Sequence, residues 1–451
     1  MKLMKEPESL LLIPTRSEIL LPLDMNICQT DYPLDRYQED FVPYAEEYLH
    51  LPDRTLNTIF KWMTPYVTKA QAHFGESLLL LAHYYMGGEI VKLIEHFGGE
   101  IGDSYQLAIK ALNNPQKSVI VESAVHFMAE SISILAAPHQ RVWITNPKAG
   151  CTMEMMAKDY MVAPALSDLN ERYGIENILP ICYVNTSGRI KAMTGAQGGS
   201  ACTSSNVKKI VQWARMKNKK ILFIPDQHMG ENVAYWLQIP QEKIAYWPGG
   251  TQGAQFDLFA QDTKTLAQFD NAELVLFSSY CAVHTYYEED MVDYWKSREY
   301  CTIVHPECRN SVVRIADHAG STAFIWDFVS HDKGHTRKYA IGTENHMVQN
   351  LKQHCLAKNI EVVNLADIPN RPEKNQGCGC ATMSRNDPPH LVALLDLLRR
   401  GKDLAYNEVK PGDVVHEFSG TRARLSELDQ HHVVENARKA LQNMIDITEG
   451  A

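Results

Sequence analysis

The run Cys301-Thr302-Ile303-Val304 is short, β-branched and apolar, and it leads directly into His305-Pro306-Glu307. It reads as a buried strand that delivers an imidazole and a carboxylate, two groups able to exchange protons, at its C-terminal end. After SVVRIADHA, whose apolar residues have helical spacing, come Gly320-Ser321-Thr322. The hydroxyls and backbone N–H groups there suit an anion. Open α/β sheets place their ligands at strand ends of this kind.

The chain contains this arrangement three times, loosely. LLLLAHYY brings His83 and Tyr85 ahead of Gly102-Asp103-Ser104, and LPICYVNTS brings Tyr183 and Asn185 ahead of Thr203-Ser204-Ser205. His83, Tyr183 and His305 are spaced 100 and 122 residues apart; Ser104, Ser204 and Ser321 are spaced 100 and 117. A methionine repeats in step, at Met128 (HFMAE), Met229 (QHMGE) and Met347 (NHMVQ), each after a second apolar run: SVIV, ILFI and the weaker KYAIGT. A period near one hundred residues is too long for a solenoid and fits three small α/β domains.

The cysteines keep the same order. RVWIT runs into Pro147-Lys148-Ala149-Gly150-Cys151, and ELVLFSSYCAVH delivers Cys281 and His284. The first copy has no leading cysteine, but IEVVNL leads to a cysteine turn at Gly377-Cys378-Gly379-Cys380. If the last segment folds back on the first domain, each domain owns one thiol: Cys380, Cys151 and Cys281. Three thiolates on a pseudo-threefold axis suit an iron–sulfur cluster with one iron left open, able to act as a Lewis acid. Buried core thiols and a zinc site using Cys378 and Cys380 are the competing readings.

These groups need elements to carry them. The length of 451 residues allows about three domains, and 45% hydrophobic content fills their cores. The expected division is an N-terminal extension (1–65), a first α/β domain (66–138, completed by 358–451), a second (139–240) and a third (241–357). KIAYWPGG begins what should be the next cysteine strand, yet no cysteine arrives, so an insertion is expected near 250–272. Against 54 acidic residues there are 44 basic ones, a net charge of −10 without a basic block, which argues against nucleic acid as the main partner. No run is long enough to span a membrane, and MKLMKEPESLLLIPT lacks a cleavage site. A cytoplasmic location is expected, with the ten cysteines reduced or metal-bound.

AHYY with GDS, HFMAE with AGC, YVNTS with CTSSN, PDQHMG, YCAVH, VHPEC with AGST, GTE and a final Cys-x-x-Met occur in one order from about residue 75 to about 400. This ordered set resembles quinolinate synthase. The resemblance implies three pseudo-symmetric, three-layer αβα domains around a central [4Fe–4S] cluster. It implies condensation of iminoaspartate with dihydroxyacetone phosphate to quinolinate, with loss of phosphate and water, in NAD biosynthesis. It makes the enzyme that supplies iminoaspartate a candidate partner. Carried over by motif, Cys151, Cys281 and Cys380 are the cluster ligands, and Tyr85 and Glu307 the acid–base groups. His83, Tyr183, Asn185 and His305 line the cavity, and Ser104, Ser204, Ser321 and Thr322 hold carboxylate or phosphate groups.

The chain also departs from the family pattern. Met86 comes after AHYY where glutamine is common, Ala381-Thr382 come after the last cysteine, and SGRIKAMTGAQGGSACTSSN has extra glycines. The insertion separates WPG from YCAVH. These departures leave a second reading, a paralogue that keeps the cluster and serves as an iron–sulfur sensor or takes another small anionic substrate.

Overall fold

Continuous leucine, isoleucine and valine runs suit parallel strands buried on both faces. In the computed structural model, which describes residues 37–369, 379–415 and 422–450, they form three sheets. The first holds β1 (Leu78–His83), β2 (Glu100–Gly102), β3 (Val119–Ser123) and β4 (Arg141–Ile144), in the order β2-β1-β3-β4. The second holds β5 (Ile178–Tyr183), β6 (Ser200–Cys202), β7 (Lys220–Ile224), β8 (Ile244–Pro248) and β9 (Leu274–Ser278), in the order β6-β5-β7-β9-β8. The third holds β10 (Cys301–Val304), β11 (His318–Ala319), β12 (Lys338–Gly342) and β13 (Glu361–Asn364), in the order β11-β10-β12-β13. Every pairing in the three is parallel. With helices flanking them, the fold is α/β.

The repeat extends to register. His83 faces Gly102 across β1 and β2, and Tyr183 faces Cys202 across β5 and β6, at the same offset. Each cysteine turn comes after the strand that pairs with the third strand of its sheet: β4, β9 and β13. These closing strands lie beyond residues 138, 240 and 357, so each sheet draws in the apolar run that precedes the next cysteine turn.

The second sheet differs from its sisters. KIAYWPGG does not take the cysteine-strand position; it forms β8 at the sheet edge, and β9 lies between it and β7. The intervening residues form two helices, Gly250–Gln255 and Thr263–Asn271. The helix expected over SVVRIADHA also ends early, at Ile315. The Asp317 carboxylate accepts from Thr302 N and Oγ1, at 2.9 and 2.8 Å, and turns the chain back to β11.

The end of the chain ties the domains together. Helix Pro388–Arg399 packs on helix Leu56–Phe74 in the core of the first domain. Tyr37 and Tyr44, from the described part of the N-terminal extension, donate to Asp387 (2.6 Å) and Asp396 (2.7 Å). The last helix, Glu427–Glu449, crosses to the second domain and lies on helix Gly188–Ala196. Asn443 donates to Gly199 O (2.8 Å), while Arg438 donates to Ile134 O (2.8 Å) in the first domain. Among the described residues no helix is long and apolar enough to cross a membrane.

One of the extra glycines makes this clasp fit. A Cβ on Gly195 would meet Asn436 O of the last helix at 1.9 Å. Gly195→Ala gains up to about 1 kcal/mol of helix propensity but meets backbone that cannot swing aside, an overpacking cost of about 1–3 kcal/mol. The overpacking wins, so the unfolding midpoint is expected to fall. An unchanged or higher midpoint would show that the last helix does not dock here.

Candidate active site

The C-terminal ends of the central strands converge on a cavity of about 140 Å³ lined from all three domains. Of the candidate residues, His83, Tyr85, Ser104, Cys151, Tyr183, Asn185, Ser204, Cys281, His305, Glu307, Thr322 and Cys380 line it. Ser321 does not. Its Oγ accepts from Phe324 N at 3.2 Å and caps helix Thr322–Ser330. Asp103 does the same for helix Ser104–Leu112. The position matching Ser104 in the third repeat is therefore Thr322.

The three thiols sit on equivalent turns. Met155 N donates to Cys151 O (3.0 Å), Thr285 N to Cys281 O (3.1 Å) and Ser384 N to Cys380 O (2.9 Å). In each turn the N–H three residues on, from Glu154, His284 or Met383, points at the cysteine sulfur. Burial pushes the Cys151 thiol up to about 12 and raises Cys281 and Cys380 too. Two of the turns also have a buried acid behind them. Cys380 N donates to Glu344 Oε1 at 3.0 Å, and Cys281 N faces the Asp226 carboxylate. Both acids cap the helix that carries the repeated methionine. The first domain has Val125 at that place.

Beside the thiols, within 4.8 Å of Cys281, lies the buried Glu307 carboxylate. Tyr183 donates to Glu307 Oε1 at 2.6 Å, and His284 Nδ1 is 2.7 Å from Oε2. Burial opposes the carboxylate charge, but the His284 imidazole and these hydrogen bonds outweigh it and hold Glu307 down at about 2. His305 stacks on His284, with ring centroids 4.3 Å apart. Burial drives His83 and His305 down to about 3, so both are neutral near pH 7. The Tyr85 hydroxyl is 3.2 Å from both Thr322 Oγ1 and Thr343 Oγ1, and burial, then Glu307, raises it well above its ordinary value. The cavity thus sets an ionised carboxylate near a protonated phenol.

Reasoning from sequence singles out His284 beside Cys281 but not the partners it meets, and gives Thr343 no role. His284 bridges Glu307 to Thr343 Oγ1, 3.0 Å from its Nε2. The available signal is spacing, since it stands three residues after Cys281 as Met383 does after Cys380. Met128 and Met383 also line the cavity, while Met86 is buried in the first core. Cys378 lies outside the described residues, as do the first 36 residues of the N-terminal extension.

A sequence profile described as quinolinate synthetase A protein matches residues 67–446. The chain belongs to the quinolinate synthase family. Quinolinate synthase from Bacillus cereus (strain AH187) is 33% identical over 356 residues, covering 78% of this chain and 90% of that protein. Quinolinate synthase from Geobacillus sp. (strain WCH70) is 35% identical over 347 residues, covering 76% and 88%. The chain is an enzyme of the quinolinate synthase type. Nothing in the comparisons favours the sensor reading.

Proposed function

We propose that the chain condenses iminoaspartate with dihydroxyacetone phosphate to give quinolinate, releasing phosphate and water, with a [4Fe–4S] cluster held by Cys151, Cys281 and Cys380. The observation that supports this most is the set of three equivalent cysteine turns opening on one cavity. The donor set fits the group: three thiols, one from each turn, each faced by a backbone N–H, as cluster sulfurs commonly are. A cluster held by three thiolates supplies one iron with an exchangeable position, a Lewis acid for a substrate nitrogen and its neighbouring carboxylate.

The chain's own residues do the rest. Ser104, Ser204 and Thr322 offer hydroxyls for carboxylate or phosphate, with Ser104 and Thr322 in the first turn of their helices, where backbone N–H groups favour an anion. Glu307 accepts a proton from carbon or nitrogen, with Tyr183 and His284 holding its two oxygens in place. Tyr85 donates to oxygen as water leaves. A sensor would need none of this hydrogen-bonded chain.

Supplied with iminoaspartate and dihydroxyacetone phosphate, the anaerobically purified chain is expected to form quinolinate and to rescue a quinolinate-requiring strain. Quinolinate, whose ring nitrogen and 2-carboxylate can close a five-membered chelate, is expected to shift the visible spectrum of the cluster. Nicotinate, lacking that carboxylate, should shift it far less. Failure of both rescue and product formation by cluster-loaded protein would overturn the reading.

A further inference from the structure

Cys281, His284 and Glu307 each offer a donor atom within 4.8 Å of the other two. No other group of three such donors comes this close among the described residues. All three line the cavity, and His284 and Glu307 are almost wholly buried. We propose that on the cluster-free chain these three side chains hold one divalent cation of the zinc class, with water from the cavity as the fourth ligand. Thiolate, imidazole and carboxylate are the donors zinc takes, and three protein ligands with one open position is its usual arrangement outside structural sites.

The adjustment required is small. Donor atoms around tetrahedral zinc stand about 3.3–3.8 Å apart. The 2.7 Å contact between His284 and Glu307 must therefore open slightly while Cys281 closes in. The backbone of the Cys281 turn is held by Thr285 N, so the closing movement is a rotation of the Cys281 side chain about its own χ1. Thr343 Oγ1 already holds the second nitrogen of His284 and would fix the ring as outer partners of ligating histidines do. Glu307 and the Cys281 thiolate balance the charge of the cation, and the thiol proton leaves to solvent on binding. Neither Cys151 nor Cys380 belongs to this set. One consequence rests on the function proposed above: Cys281 cannot serve both metals, so zinc would block cluster assembly and occupy Glu307 at once.

The test uses the full chain, stripped by chelator and titrated anaerobically with Co2+ alone, then with Zn2+ in competition. The expected result is one Co2+ per chain, with tetrahedral visible bands and sulfur-to-cobalt charge transfer from a single thiolate. Cys151→Ser and Cys380→Ser should leave both unchanged, whereas Cys281→Ser and His284→Ala should abolish them. Thr343→Val should weaken binding by about 10–100-fold. A band of three-thiolate intensity, or loss of binding in Cys151→Ser, would place the metal among the thiols and overturn the proposal. Binding that survives His284→Ala would overturn it too, and that variant keeps every thiol. Iron and sulfide in the anaerobically purified chain report on the cluster separately, so the two ideas fail independently.

Discussion

Cys151→Ser, Cys281→Ser and Cys380→Ser are each expected to strip the chain of iron and acid-labile sulfide. Purified without oxygen, the parent chain should carry about four of each if the cluster is of the [4Fe–4S] type. Geometry sets the size of the effect. Each domain offers the cavity one thiol, on a turn with its own N–H facing the sulfur, and no other described cysteine lines the cavity. A serine cannot replace a thiolate as a ligand here, since its hydroxyl stays protonated. Cys202 and Cys355 are the controls. Both are buried in the cores of the second and third domains. Serine there costs stability but should leave iron content unchanged. Absence of iron after anaerobic reconstitution of the chelator-stripped, zinc-free parent chain would falsify the cluster assignment.

Glu307→Gln and Tyr85→Phe should lower turnover by roughly a hundredfold or more, the scale of lost acid–base help. Glutamine keeps the shape of Glu307 and can still meet Tyr183 and His284, but it cannot accept a proton from substrate. Phenylalanine keeps the Tyr85 ring against His83, 4.5 Å between centroids, and removes only the hydroxyl shared between Thr322 and Thr343. Fold and cluster content should therefore persist, and rates are to be compared at equal iron content. Near-normal turnover in both variants would reassign the pair to structure.

Much of this is legible in the sequence because strands declare themselves by residue type and their ends by the polar group that closes each apolar run. His83, Tyr183 and His305 each terminate such a run, and the common period places them around one axis. The features that stay hidden depend on pairing. KIAYWP and ELVLFSS read equally well as strands, and nothing local says that the later one takes the inner position beside β7. The third anion loop reads one residue out of step, because Ser321 matches Ser104 in type while Thr322 matches it in place. His284 and Thr343 are held by contacts between segments far apart in the chain, and such contacts leave no periodic trace. Asp226 and Glu344 cap their helices, and that they also face the backbone of Cys281 and Cys380 needs the fold to be seen.

Cys380 also sets a clock. The first domain is complete only when helix Pro388–Arg399 has come back to cover helix Leu56–Phe74, and the last helix then fastens it to the second domain. A ribosome making about 5–20 residues per second needs roughly 4–14 s to add the 71 residues beyond Cys380. Between the synthesis of Cys281 and that of Cys380, 99 of the 451 residues, the nascent chain carries two cysteine turns that have no third. A group held by all three turns could be loaded only after translation, when the tail has closed and brought Cys380 to the cavity.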